Sequence, residues 1–315
     1  MNTNTPTADW RPDILGDGFE MKYMRHPDDY CGAVRSTVIR HRCQQRTTKA
    51  ILYVHGFSDY FLQKEMALMF TANGYVFYAV DLRRYGRSLL PGDRMFGVRD
   101  IHEYFADIDA AIAQMKTDGI ERIALFGHST GGLTTSLYMS ETPSPLIKAL
   151  ILNSPFLDWN LPSWIKKTAI PAISALGALV PTLRIPQKAD AAYAHSLTHW
   201  DYRREWKPDV LPDPDAGWIH AIQTAQKQLR TRRVDVPILL MHSARSARRS
   251  DSQAAHDSAD AILDVVSMSH YGRRLGDDVT EVSFDGGLHD LALSAEPVRQ
   301  RVYDTMLEWL ADKGV

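Results

Sequence analysis

"LFGHSTGG", residues 125–132, decides how the rest of the chain is read. An apolar run, RIALFGHS at 122–129, leads into a segment of helical patterning, and the joint between them is Gly127-His128-Ser129-Thr130-Gly131. Glycines two places either side of a serine suit a strand-to-helix turn so tight that the serine takes a strained backbone conformation and flanking side chains would collide with neighbouring elements. Such a turn lifts the Ser129 hydroxyl above the sheet, and the helix behind it offers the Thr130 backbone N–H to a developing oxyanion. A free hydroxyl barely ionises at neutral pH, so the chemistry also needs a base. The competing reading, a glycine-rich phosphate cradle, lacks its motif, because neither G-x-x-x-x-G-K-[ST] nor G-x-G-x-x-G occurs.

Outward from this turn, short apolar runs recur: AVRSTVIR at 33–40, KAILYVHG at 49–56, YVFYAVDL at 75–82 and IKALILNSP at 147–155. Helical patterning fills the gaps at roughly 59–73, 101–118 and 131–140, the first closed by Asn73-Gly74. That alternation predicts an α/β fold with a mostly parallel sheet and helices on both faces. The rhythm stops at Pro155, and the following stretch is rich in tryptophan and proline until VPILLMHS at 236–243 restores strand character. A last strand at 279–287 and a helix at 296–312 complete the pattern. The expected organisation is a core of 1–155 and 236–315 with a mainly helical cap, 156–235, inserted between its halves.

A net charge of −2 gives no basic field for nucleic acid, and the local arginine runs fall between apolar elements, as solvated loops do. Two cysteines, Cys31 and Cys43, suggest free thiols in a reducing compartment, and the first twenty residues lack a basic stretch followed by an apolar one, so the expected location is cytoplasmic. The longest apolar run, AIPAISALGALVP at 169–181, falls short of the about 20 residues that span a bilayer, but leaves transient contact with a lipid surface open. His195 and His199 have no third ligand in a recognised metal pattern, so no metal is expected.

Three further motifs accompany the serine turn in order: VHGFSDY at 54–60, DLRRYGRS at 81–88 and GGLHDLALS at 286–294. Together, over 32–155 and 236–312, they make the chain resemble the α/β-hydrolases, and within them the monoacylglycerol lipase or lysophospholipase-like group related to the serine aminopeptidases. The resemblance implies that the Phe57 N–H faces that of Thr130 across an oxyanion hole, that His55 holds its loop, and that DLRRYGRS shapes the floor of the site. Topology and motif independently select His289 as the base: it follows the last strand, at the sheet edge from which Ser129 emerges. Asp290 reads as a loop-stabilising acceptor.

The acid is harder to place. After the strand ending near Ser243 the chain runs Ala244-Arg245, and an arginine cannot hold and stabilise an imidazolium. Asp251, Asp257, Asp260, Asp264, Asp277, Asp278 and Asp285 follow. Asp277 and Asp278 precede the last strand and belong at the opposite edge, while Asp285 is too near His289 in sequence. SADAILDV at 258–265 resembles the family's acid loop, which implies Asp260, with Asp264 and Asp251 as alternatives. A plain role for Asp260, capping a helix that begins at Ala261, competes with this. The arginine-rich stretch is then an insertion between strand and acid.

The resulting expectation is a serine carboxylic-ester hydrolase working through an acyl-enzyme, without a cofactor, on a small acyl ester such as a monoacylglycerol or lysophospholipid. Trp159 and Trp164 are expected to line an acyl pocket, or else to pack the cap itself. An acyltransferase or aminopeptidase with the same residues, and a ligand-binding homologue without hydrolysis, stay open, as does the oligomeric state.

Overall fold

The computed structural model describes residues 9–16, 18–187 and 192–315. Residues 1–8, within the stretch searched for an export signal, lie outside it, as do 188–191 of the insert.

Among the described residues nine strands form one sheet: β1 (Arg11–Pro12), β2 (Phe19–Asp29), β3 (Gly32–His41), β4 (Lys49–Val54), β5 (Val76–Asp81), β6 (Arg122–His128), β7 (Ile147–Asn153), β8 (Ile238–Ser243) and β9 (Val279–Phe284). Their order is β1-β2-β3-β5-β4-β6-β7-β8-β9. The pairs from β5 through β9 are parallel, while β1, β2 and β3 add antiparallel at one edge. This is the mostly parallel sheet of an α/β-hydrolase fold.

The described helices are α1 (Lys64–Ala72), α2 (Phe105–Thr117), α3 (Thr130–Glu141), α4 (Ser163–Lys167), α5 (Ala169–Leu179), α6 (Ala192–Ser196), α7 (Ala216–Leu229), α8 (Gln253–His256), α9 (Val265–Gly272) and α10 (Glu296–Asp312). Two apolar layers follow from the period of two along each strand. On β4, Ala50, Leu52 and Val54 face the layer containing α2, α3, α7 and α9, whereas Ile51 and Tyr53 face the layer containing α1 and α10. Because both faces are buried, the central strands read as unbroken apolar runs.

Three departures from the sequence reading have physical causes. The first helix begins at Lys64 rather than near 59, because the Phe61 N–H is bound by the Asp81 carboxylate at 2.9 Å and the Leu62 N–H by the Gln63 side chain at 3.0 Å. Strand β2, with the sequence FEMKYMRHPDD, has no clean apolar alternation, since most of its side chains are half-buried or exposed at the sheet's edge. Helix α7 falls inside the stretch 156–235, yet Trp218, Ile219, Ile222, Ala225 and Leu229 pack into the same layer as β4.

Candidate active site

At the end of β6 the chain turns through Ser129 with φ 53° and ψ −117°, in the left-handed half of conformational space that a side chain rarely adopts. The two glycines explain why the turn closes. A Cβ on Gly127 would lie 2.3 Å from Thr135 Oγ1 on α3, and one on Gly131 would lie 2.3 Å from the Val54 carbonyl oxygen and 2.4 Å from that of His55. The turn is thus pressed against α3 on one side and the end of β4 on the other. Its backbone is tied to β7 by the Ser129 N–H, which donates to the Asn153 carbonyl at 3.0 Å.

The Ser129 hydroxyl lies 3.0 Å from His289 Nε2, and His289 Nδ1 lies 2.9 Å from Asp260 Oδ2. All three residues are buried. A carboxylate on Nδ1 fixes the tautomer in which Nε2 is bare and accepts the serine proton. The other oxygen of Asp260 accepts the N–H groups of Ile262 at 2.8 Å and Leu263 at 2.7 Å, so the turn that holds the acid also satisfies it. Helix α9 begins later, capped by Asp264 through the Val266 and Ser267 N–H groups. Asp251 accepts the Arg248 N–H, and Asp257 the Ser196 hydroxyl. Asp277, Asp278 and Asp285 are exposed. Of the candidate acids, the structure brings Asp260 to His289.

His55 bridges two loops, Nδ1 donating to the Gly56 carbonyl at 2.8 Å and Nε2 accepting the Leu82 N–H at 3.1 Å. Asp290 accepts the Gln63 amide at 2.7 Å, the Asn153 amide at 2.8 Å and the Ala292 N–H at 3.1 Å, which binds the loop of His289 to the rest of the core. The DLRRYGRS segment is a scaffold of buried ion pairs, with Arg83 on Asp107 and Arg87 on both Asp13 and Asp81. His128 lies with its ring 4.9 Å from that of His289 and donates from Nδ1 to the Asn153 carbonyl at 3.2 Å. Burial pushes the His128 imidazole below its ordinary value, against the opposing pull of Asp290.

Ser129, His289, Phe57 and Thr130 all border one cavity of about 380 Å³. Neither the Phe57 nor the Thr130 backbone N–H has an acceptor among the described residues. The walls are largely apolar, including Phe156, Trp159, Leu197, Trp218 and Leu263, with Lys207, Asp209, Arg249 and His256 among the polar members. Trp159 lies on this wall, its indole N–H held by Gln223 at 2.8 Å. Trp164 is not. Its side chain is 68% exposed on α4, because that short helix turns no buried face inward.

Metal-ligand geometry appears where the histidine count did not point. Asp59, His128 and Asp290 have ligand atoms within 4.8 Å of one another. Each of the three already has a partner within the protein: Asp59 Oδ1 holds the Lys207 ammonium at 2.7 Å, and Asp290 and His128 Nδ1 make the bonds above. His195 and His199 are exposed, and α6 ends before His199, so the two do not share a helix face. Sequence reasoning did not single out Asp59, Lys207, Tyr193 or Trp218 as members of the site. Asp59 lay within a motif already quoted, but the other three come from the insert, where no local pattern marks which side chains turn toward Ser129.

The sequence profile of the family described as serine aminopeptidase, S33, matches residues 45–293. A phospholipase YtpA of Bacillus subtilis is 28% identical over 141 residues, 44% of this chain, and the chain spans about half the length of that curated relative, 52%. Among solved structures, a soluble variant of monoglyceride lipase from Saccharomyces cerevisiae in complex with a substrate analog superposes with a TM-score of 0.69 at 18% identity, covering 97% of this chain and 99% of that one. A monoacylglycerol lipase of Paleococcus ferrophilus gives 0.66 at 19% identity over 88% of this chain and 99% of its own. At these identities the structural likeness speaks to the fold.

Proposed function

The chain belongs to the serine aminopeptidase S33 family and is a hydrolase, and from that premise we propose that it is a serine carboxylic-ester hydrolase. The observation that carries the reading is the unbroken relay from the Ser129 hydroxyl through His289 to Asp260, at 3.0 and 2.9 Å, opening on one largely apolar cavity.

In the proposed reaction His289 Nε2 takes the Ser129 proton as Oγ attacks the ester carbonyl. The negative charge moves to the carbonyl oxygen, facing the N–H groups of Phe57 and Thr130. The C–O bond to the alcohol then breaks, and the alcohol leaves with the proton His289 holds. Water, deprotonated by the same imidazole, attacks the acyl-enzyme, and the carboxylic acid leaves as Ser129 regains its proton. Asp260 keeps its charge throughout and steadies the imidazolium.

Two features favour an ester over an aminoacyl amide. An aminopeptidase needs a carboxylate whose charge is free for the substrate's ammonium, and on the cavity wall those charges are already matched: that of Asp59 by Lys207 and that of Asp209 by Arg204, with the Tyr202 hydroxyl beside it. The remaining wall suits an acyl chain, and about 380 Å³ falls within the range of about 300–1,000 Å³ typical of small-molecule sites. The lipase and phospholipase names of similar proteins make monoacylglycerols and lysophospholipids the substrates to try first.

We further propose that the helices of 156–215 form the cap, with α7 belonging to the core. Trp164, Leu176, Leu179, Val180 and Leu183 are exposed on the cap. A strip of this kind supports transient contact with a lipid surface. No helix among the described residues is long and apolar enough to cross a membrane. The free thiols of Cys31 and Cys43 keep a cytoplasmic location within the proposal.

Hydrolysis of a chain-length series of esters, beside aminoacyl amides and an acyl-acceptor alcohol, tests the reading. Ester turnover that dominates amide turnover and acyl transfer is expected. Preferred amide cleavage or acyl transfer replaces it with the corresponding alternative, and no turnover of any of them replaces it with a binding protein.

A further inference from the structure

The loop that carries Phe57 is held from an unexpected side. Ser58 has φ 52°, a left-handed conformation that costs a non-glycine residue about 1–3 kcal/mol and survives only where its surroundings fix it. Next to it Asp59 is buried, with one carboxylate oxygen and the Ser58 hydroxyl lacking any partner. From the core, the loop receives the His55 bond to the Gly56 carbonyl and the Asp81 bond to the Phe61 N–H. Arg87 also donates to the Phe61 carbonyl at 3.0 Å, the Phe57 ring meets that of Phe96 at 5.4 Å, and further constraints come from the insert. Lys207 Nζ donates to Asp59 Oδ1 at 2.7 Å, with side chains only 11% and 3% exposed. The Arg203 N–H donates to the Tyr60 hydroxyl at 2.8 Å, and the Trp206 ring meets that of Tyr60 edge-on at 5.2 Å.

A carboxylate this deeply buried is tolerable only with a cation on it. Burial alone would raise the Asp59 pKa, but the Lys207 ammonium, helped by His128 and His55, holds it below the ordinary carboxylate range. The pair is therefore a rigid strut between residues 148 apart in sequence, ending two positions from the N–H that faces the developing oxyanion.

We propose that Lys207 is a positioning residue of the reaction: through Asp59 it holds the Phe57 N–H in place, which makes the insert part of the catalytic apparatus and not only a wall for the acyl chain. The inference rests on the ester-hydrolase reading. It requires that Lys207 act on the rate of every ester, whatever its length. A lysine that merely touched the substrate would act on the binding of long ones.

The test compares the full-length wild type with Lys207→Met, Lys207→Arg and the double variant Asp59→Asn/Lys207→Met, using p-nitrophenyl acetate and a long-chain p-nitrophenyl ester. Values of kcat and KM are separated, and thermal melts check the fold. The double variant leaves no buried charge unpaired, so it reports on the strut even where Lys207→Met alone does not fold. Expected is a fall in kcat of about 10- to 100-fold on both esters, short of the about 10²–10³ seen when an oxyanion donor is deleted outright, with KM nearly unchanged. Lys207→Arg, which can still pair with the carboxylate, should retain most of the rate. A double variant that folds and turns over the acetate at the wild-type rate overturns the inference, as does a loss confined to KM for the long ester. A wild type silent on both esters overturns the hydrolase reading and this inference with it, while an active wild type matched by its folded variants overturns the inference alone.

Discussion

Two turns at the same edge of the sheet deliver the proposed nucleophile and the proposed acid, and they are built on opposite principles. The serine turn leaves β6 and enters α3 at once, with Ser129 as the hinge and backbone carbonyls of β4 hard against Gly131. The acid turn leaves β8 at Ser243, wanders through α8, and returns so that Asp260 bridges Ser246 beside its point of departure. Hydrogen bonds close that excursion: the Asp260 N–H to the Arg245 carbonyl at 3.0 Å, the Ala247 N–H to the Asp260 carbonyl at 2.8 Å, and the Ser246 hydroxyl to the Leu263 carbonyl at 2.9 Å. A turn fixed by steric contact tolerates no change of length or side chain. A loop fixed at its neck tolerates insertion, because each doubling of its length adds only about 0.6 kcal/mol of closure entropy.

Substitutions at the two turns should separate these principles. The largest effect is expected for Ser129→Ala, which removes the nucleophile while adding no bulk: turnover should fall by about 10⁶-fold, the scale known for a serine protease, with the thermal midpoint little changed. Asp260→Asn leaves its turn hydrogen-bonded but offers His289 the wrong partner, so kcat should drop by about 10⁴-fold with the fold retained. Asp264→Asn in the same loop should leave turnover within a few-fold, and near-equal losses in these two variants would remove the distinction between acid and helix cap. Gly131→Ala forces a methyl group into two carbonyl oxygens at 2.3 and 2.4 Å, and should cost about 1–3 kcal/mol or more in urea unfolding. A stable Gly131→Ala protein would mean that the serine turn is looser than its contacts imply.

The smallest expected effect is a pH dependence seated at the serine turn. Burial lowers the His128 pKa below 6.5, so between the two values the unfolded chain binds the proton and the folded one does not. The sign follows: the stability held above pH 6.5 drains away as pH falls below it, and only further down does the depressed Asp59 add a loss of the same sense. Urea midpoints between pH 8 and pH 5 should therefore fall with acid, and His128→Gln should flatten the upper part of that fall.

The same contrast explains what could be read in advance. Gly127, Ser129 and Gly131 were legible because the collisions that demand them lie within a few residues of chain and at the end of one neighbouring strand. The central parallel strands were legible because burial on both faces leaves few polar positions, whereas β2, at the antiparallel edge with side chains half in water, carried no such signature. Asp260 was reached through a family resemblance, since nothing local distinguishes its turn from the cap at Asp264. Trp164 was misplaced and Lys207 overlooked for one reason: in the insert, orientation is set by long-range packing such as the Lys207 to Asp59 pair, which no periodicity along the chain records.

The central claim is that Ser129, activated by His289 and Asp260, is the residue that becomes acylated. Mass spectrometry of peptides from protein treated with a fluorophosphonate measures this directly. The account predicts a single phosphonyl adduct on the peptide containing Ser129, absent in Ser129→Ala and formed far more slowly in Asp260→Asn. An adduct on any other residue, or labelling of Ser129→Ala at the wild-type rate, would contradict it.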